Sequence, residues 1–247
     1  MSDTHQGAPE GLPPAILTDE DFEDLGLTIP LFMAPAGEAR EYAGPGHCDL
    51  CLNEDAHCFA LEGEAQVIAE CAACEEEAAL PVAARADAPC GACGASIPFP
   101  LPKTGRVRTC ASCLMAGLVA LPKQTERGRV GWAEALAGQT SEGWVVEPMA
   151  LLELMRTPGF DTWSAPDAWL FCCERPMLYL GSRGSGGFSA GQLGSGRQRF
   201  LNTVAGAGAE GWIALNEGRA VACVFRCEQC GRERGVLDPQ EDAREGE

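Results

Sequence analysis

At 247 residues the chain has room for one or two domains, and its 36 acidic against 18 basic side chains leave a net charge of −18, which repels a phosphate backbone over most of the surface. A membrane-spanning helix needs about 18 or more apolar residues in a row. The best run, Leu114 to Leu121, has 8 and excludes one. Hydrophobic residues at 46% and charged residues at 22% are ordinary for a folded protein, so the unusual feature is the 14 cysteines.

The chain opens with residues 1–41, which carry nine carboxylates against the single base Arg40. This is the reverse of a secretory signal's basic start and apolar middle, so the stretch reads as an acidic, flexible leader and the compartment as the cytoplasm. Thiols stay reduced there, and regularly spaced cysteines then read as metal ligands rather than a disulfide framework.

Five Cys-x-x-Cys pairs follow: Cys48/Cys51, Cys71/Cys74, Cys90/Cys93, Cys110/Cys113 and Cys227/Cys230. Two residues between thiols let a tight turn bring both sulfurs to one metal at about 2.3 Å, and four sulfurs close a tetrahedral site. A redox dithiol would want one pair in a βαβ setting, not four pairs between residues 48 and 113. Nineteen residues separate Cys51 from Cys71 and 16 separate Cys93 from Cys110, both suited to a zinc ribbon. Sequential pairing therefore predicts one site from Cys48, Cys51, Cys71 and Cys74 in a ribbon-like module at 42–84. A second, from Cys90, Cys93, Cys110 and Cys113, falls in a module at 85–130. A cross-brace joining first to third and second to fourth is the alternative. The segment between Cys74 and Cys90, with Pro81 and Pro89, reads as the linker. His47 and His57 stand close enough in sequence to replace a thiol.

The modules differ in charge. Residues 49–84 hold nine carboxylates and no base, whereas 85–129 hold Arg85, Lys103, Arg106, Arg108, Lys123, Arg127 and Arg129 against Asp87 and Glu126. That basic stretch is the one weak nucleic-acid signal in the chain.

Residues 131–238 read as a small α+β domain. Pro148 starts and Thr157-Pro158-Gly159 stops a short helix over 147–156. Phe160, Trp163, Trp169 and Phe171 supply its core. The Gly/Ser-rich stretch 181–196 reads as a mobile loop; Gly191 and Gly196 have P-loop spacing, but Arg197 and Gln198 stand where Lys and Ser/Thr are needed. Gly211 to Leu215 and Arg219 to Arg226, joined by Asn216-Glu217-Gly218, read as a β-hairpin leading into the last knuckle. A third site is expected from Cys172, Cys173, Cys227 and Cys230, with a bend at Cys172 so that neighbouring thiols face one metal; Cys223 is a substitute ligand. An acidic tail, 239–247, ends the chain.

The segment Arg156-Thr-Pro-Gly-Phe-Asp-Thr-Trp163, then Trp169-Leu170, Cys172-Cys173 and Phe225-Arg226-Cys227-x-x-Cys230-Gly231, resembles the C-terminal half of the CbrC family of bacterial proteins. Cys110 and Cys113 stand where that family has a Cys-x-x-Cys, and the likeness covers roughly 90–238. The resemblance implies a zinc-binding protein associated with colicin tolerance, with no established enzymatic activity. It supports Cys110, Cys113, Cys173, Cys227 and Cys230 as ligands, with Cys172 at a position where relatives can show His. The extra knuckles at 48–74, the acidic leader and the Gly-rich loop depart from it.

The sequence therefore predicts an α+β protein with tandem zinc-ribbon-like modules, a third knuckle site and about three zinc ions. Its leading function is that of a non-catalytic interaction protein, a tolerance or immunity factor binding a basic toxin or nuclease. A nucleic-acid-associated ribbon is the second reading and a zinc enzyme the third. No small-molecule substrate is recognised.

Overall fold

Hydrophobic alternation, not the cysteines, sets the strands. In the computed structural model, which describes residues 19–102, 105–163, 167–189 and 196–240, the first strands are β1 (Tyr42–Gly46), β2 (Ala56–Leu61), β3 (Gln66–Glu70), β4 (Glu77–Pro81), β5 (Ala88–Pro89), β6 (Ser96–Ile97) and β7 (Val107–Cys110). Helix α1 (Ala111–Met115) leads to β8 (Val119–Ala120), β9 (Lys123–Thr125) and β10 (Gly128–Val130), then to α2 (Trp132–Ala137) and α3 (Pro148–Met155). Strands β11 (Phe171–Cys172), β12 (Arg175–Pro176) and β13 (Leu178–Arg183) precede α4 (Ser185–Ser189), α5 (Gly196–Thr203) and α6 (Gly208–Asn216). Strands β14 (Ala220–Arg226) and β15 (Glu233–Pro239) close the described chain. The architecture is α+β. No helix among the described residues is long and apolar enough to cross a membrane.

Three antiparallel three-stranded sheets carry the fold, ordered β1-β2-β7, β4-β3-β8 and β13-β14-β15, with two-stranded ribbons β5-β6, β9-β10 and β11-β12 between them. The first two sheets cross the expected boundary between modules. β2 pairs with β7, opposing Ala60 to Arg108 and Leu61 to Val107, and β3 pairs with β8, opposing Val67 to Val119. A lone two-stranded hairpin is marginal in water, so each N-terminal hairpin takes its third strand from the following segment. Residues 42–84 and 85–130 are thus interleaved rather than set in tandem.

One apolar cluster unites these sheets with the C-terminal part, running from Phe22 and Phe32 through Phe59, Val107, Leu114, Leu151 and Leu154 to Trp169, Tyr179 and Phe225. The described part of the leader belongs to it. Phe22 is 2% exposed and lies 5.6 Å from the ring of Phe32 and 5.7 Å from that of Phe59. Residues 31–33 also run beside β13, Tyr179 donating to the Leu31 carbonyl and Met33 to the Tyr179 carbonyl. The leader's carboxylates hid these apolar anchors; residues 1–18 lie outside the described chain.

Helix α3 forms where expected. Pro148 occupies its first turn, and Ala150, Leu151, Leu154 and Met155 present a buried stripe at helical spacing. Three other expectations change. Gly211 to Leu215 belong to α6 rather than to a strand, because Gly218, with φ 73°, ends a helix as readily as it turns a hairpin. The hairpin instead joins β14 to β15 through the knuckle itself. The Gly-rich stretch is built into β13, α4 and α5 wherever it is described, over a second apolar cluster of Phe188, Phe200, Val204, Leu215, Ala222 and Val224; residues 190–195 lie outside the described chain. Gly181 is required there, since its φ is 99° and a Cβ would meet Ala34 at 3.3 Å. Finally, Phe160, Trp169 and Phe171 are buried but Trp163 is 68% exposed.

Candidate metal centres

Four of the five Cys-x-x-Cys pairs share one backbone turn. The amide of the first cysteine donates to the carbonyl five residues on: Cys48 to Asn53 at 2.8 Å, Cys71 to Glu76 at 2.9 Å, Cys90 to Ala95 at 2.8 Å and Cys227 to Arg232 at 2.9 Å. The amide four residues on donates back to that cysteine's carbonyl, from Leu52, Glu75, Gly94 and Gly231. Those four residues have φ of 59°, 61°, 75° and 71°, the left-handed conformation that closes the turn. The fifth pair is different. Cys110 stands immediately before α1 and Cys113 lies in its first turn, so this pair is presented by a strand-to-helix junction.

The twelve thiols gather into three tetrads: Cys48, Cys51, Cys110 and Cys113; Cys71, Cys74, Cys90 and Cys93; and Cys172, Cys173, Cys227 and Cys230. The first two are nested, first pair with fourth and second with third, which replaces both the sequential pairing and the cross-brace. The reason lies in the β2–β7 ladder. Antiparallel pairing of Cys58 with Cys110 sets the end of β7 beside the β1–β2 hairpin that carries the first knuckle, and the second and third knuckles close on each other inside that loop.

Sulfur separations test the fit to a metal. Cys48–Cys113 are 3.9 Å apart, Cys51–Cys110 3.6 Å, Cys71–Cys93 3.6 Å, Cys74–Cys90 3.5 Å, Cys172–Cys173 3.8 Å and Cys172–Cys230 3.7 Å. A tetrahedron with metal–sulfur bonds of 2.3 Å has edges of about 3.8 Å, and a disulfide would need about 2.05 Å. Each tetrad can therefore hold one metal ion, in agreement with about three per chain. The third reaches this arrangement through the two-residue loop between β11 and β12, where Cys173 and Glu174 have φ of 51° and 60°. The reversal that brings neighbouring thiols together is at Cys173-Glu174, one residue beyond the expected bend. Glu126 braces it by accepting from the Phe171 amide at 2.8 Å and from Arg234 at 2.6 Å, while Arg234 also donates to the Phe171 carbonyl. Sequence spacing showed the thiols but not this support.

Each tetrad contains one thiol poised to ionise. Burial opposes ionisation of Cys48, but the amides of Cys51, Cys110 and Leu50 bring it down to about 7. The amides of Cys93 and Ala92 lower Cys90 to about 6, and that of Arg232 lowers Cys230 to about 7. Their neighbours move the other way: burial and adjacent thiols push Cys113 up, and the other thiols of its tetrad hold Cys173 up at about 12. One thiol in each tetrad is thus the readiest to meet a metal as thiolate.

Cys58, Cys223, His47 and His57 stay outside the tetrads. The Cys58 thiol lies against the first tetrad but donates toward the carbonyls of Gly46, His47 and Ala56, and burial holds it up at about 11. Cys223 is buried in β14, where burial raises it to about 11, and it stands outside the third tetrad, so it is not the substitute ligand. His57 Nδ1 meets the Tyr42 hydroxyl at 2.7 Å and His47 Nδ1 lies 3.3 Å from Glu54.

Most of the basic stretch is engaged. Arg106 pairs with Glu62 at 2.9 Å and Arg129 with Glu64 at 3.1 Å. Arg85 donates to the Gly105 carbonyl at 2.6 Å, Arg127 lies 3.9 Å over the ring of Trp144, and Lys123 is only 7% exposed. Lys103 falls outside the described residues.

Three four-thiol tetrads on small sheets define a protein able to hold several metal ions. A model of the uncharacterised protein family UPF0167 matches residues 104–239, more than half of the chain. The chain belongs to that family, of which CbrC is also a member. The matched segment contains all of the third tetrad and the Cys110/Cys113 half of the first; the second lies wholly before it. No curated protein and no solved structure matches the chain.

Proposed function

We propose that this is a non-catalytic interaction protein, its fold stapled by three structural zinc ions, whose acidic surface receives a basic protein in the manner of a toxin-tolerance or immunity factor. The observation that carries the zinc reading is the all-thiol composition of each tetrad. Four cysteines close a zinc site with no position left for substrate, whereas catalytic zinc keeps one open and draws on His or carboxylate. Soft thiolate donors in a tetrahedral set favour zinc over the oxygen-preferring divalent ions. Tetrads one and three each join a knuckle to another element, and tetrad two faces two knuckles as in a zinc ribbon. Elemental analysis of protein purified without added metal tests this reading: three zinc per chain are expected, and a value near zero with paired disulfides overturns it.

The partner is argued from charge. Twelve thiolates and three zinc ions add −12 and +6, taking the formal charge from −18 to −24. Such a surface speeds encounter with a cationic protein and repels duplex DNA. The engaged arginines of 85–129 weigh against the nucleic-acid reading, because paired guanidinium groups release few counterions from DNA. Glu75, Glu76 and Glu77 are exposed at the second tetrad's knuckle and form a run of three consecutive carboxylates. Replacing all three by Gln is expected to slow association with a basic partner captured from the source cell, more at low salt than at high. An unchanged association rate at both overturns the steering role.

A further inference from the structure

A cleft of about 980 Å³ opens beside the first tetrad and has no part in holding metal. Its size is at the upper end of small-molecule sites. The floor is the outward face of the β1-β2-β7 sheet. Phe59, Leu61, Val107 and Thr109 point to the core, so their neighbours Ala60 and Arg108, opposed in register, face the cleft. Tyr42, Pro45, Leu121 and Pro122 give it apolar walls.

The charges lining this cleft are unequally satisfied. Arg106 is held by Glu62, and Arg40 by Asp161 at 2.9 Å and Asp167 at 2.6 Å. Arg108 has no ion pair among the described residues. Its guanidinium lies over Gly46, where a Cβ would come within 2.9 Å of Nη1, so a glycine in β1 makes room for it. The side chain of Lys123, beside the lining residue Gln124, likewise makes no hydrogen bond or ion pair among the described residues although it is almost wholly buried. The charges that act on its amine belong to Glu41, Arg40 and Asp167, which all line the cleft. Burial holds that amine below the ordinary lysine range, against the opposing pull of Glu41 and Asp167.

We propose that the cleft is a binding site for a small organic oxyanion, a carboxylate or phosphate ester with a flat apolar body, whose acidic group pairs with Arg108. The apolar body lies between Tyr42 and Pro45 on one side and Leu121 and Pro122 on the other. The planar guanidinium matches either oxyanion through two parallel hydrogen bonds. The site sits where the segment before residue 104 meets the family segment, since Tyr42, Pro45 and Ala60 come from the first and Arg108, Leu121 and Pro122 from the second.

The test uses the full metal-loaded chain and fluorine NMR of three probes: 4-fluorobenzoate, 4-fluorophenyl phosphate and the uncharged 4-fluorobenzamide. At least one anion is expected to bind in preference to the amide, and the preferred anion identifies the oxyanion class. Arg108→Gln should weaken it by about tenfold or more, the scale of a charge-assisted hydrogen bond. Arg197→Gln, on the exposed face of α5, should leave it unchanged. Because β7 leads into Cys110, metal content is measured in every variant, and Ala60→Phe supplies an independent test by filling the floor without altering charge. Equal binding of amide and anions, binding of none, or binding that survives both Ala60→Phe and Arg108→Gln overturns the proposal.

Discussion

Cys51→Ser is expected to remove one metal ion and unfold much of the N-terminal half, whereas Cys93→Ser removes one metal ion and loosens only the segment around residues 71–105. The two positions are matched, since both thiols are exposed and neither substitution empties a packed core position. Their topological roles differ. The first tetrad ties the Cys48 knuckle to the β7–α1 junction and so secures β2 against β7, the outer closure within which the second tetrad lies. A structural zinc site contributes on the order of 10 kcal/mol of folding free energy, comparable to the whole stability of a domain. Loss of the outer closure therefore frees β1, β2, β7 and α1 together. Loss of the inner one frees the β5–β6 ribbon, whose strands are two residues each. Hydrogen exchange on each variant should show lost protection over 42–61 and 107–120 for Cys51→Ser but not for Cys93→Ser. Equal footprints would mean that nesting does not govern the stability.

This nesting marks how far the sequence could be read. A Cys-x-x-Cys pair is a local object: its turn is written in six residues and repeats the same two hydrogen bonds at Cys48, Cys71, Cys90 and Cys227. Each of the twelve thiols chosen from spacing consequently falls in a tetrad. Which knuckle meets which is not local. It follows from β2 choosing β7, a pairing that depends on burying Phe59, Leu61 and Val107 in one core, and spacing between cysteines carries no record of it. The third tetrad was legible despite its adjacent thiols because the Cys227 knuckle needed two more ligands. The turn that satisfies it, with positive φ at Cys173 and Glu174, breaks the usual preference of non-glycine residues and leaves no trace in composition.

Ambiguity of type, rather than distance, explains the other differences. Asn216-Glu217-Gly218 suits a hairpin turn and a helix end equally, and the choice goes to the helix because Gly211 and Leu215 are buried one helical turn apart. In the leader, carboxylates outnumber the apolar residues that decide its packing, so charge counting missed Phe22, Ile29, Leu31 and Phe32. The cleft was invisible for a related reason. Arg108 looked like one base in a basic stretch, and only the pairing of its neighbours with Glu62 and Glu64 distinguishes it.

Trp169→Ala should cost about 3–5 kcal/mol for the lost side chain and its cavity, placing it among the most damaging substitutions in the chain. Trp169 is 0% exposed, at the centre of an aromatic cluster. Its ring meets Phe160 and Phe225 edge-on with centroids 5.6 Å away in each case, and Tyr179 stacks on Phe160 at 4.7 Å. Edge-to-face pairs of this kind add stabilisation beyond the area they bury. The indole Nε1 donates to the Met177 carbonyl at 2.7 Å, so truncation also leaves a buried acceptor without its partner. On the main chain, Trp169 donates to Gln124 and accepts from Glu126, and three residues later comes Cys172 of the third tetrad. Collapse around the cavity should therefore move Glu126 and β11 and weaken metal retention there, without reaching the second tetrad. Trp163→Ala is the control: its side chain is 68% exposed, and a change within about 0.5 kcal/mol is expected. Urea unfolding of both variants with metal bound, followed by chelator competition for each tetrad, makes the comparison. Equal midpoints for the two variants, or uniform metal loss from all three tetrads after Trp169→Ala, would show that the aromatic cluster does not position the third site.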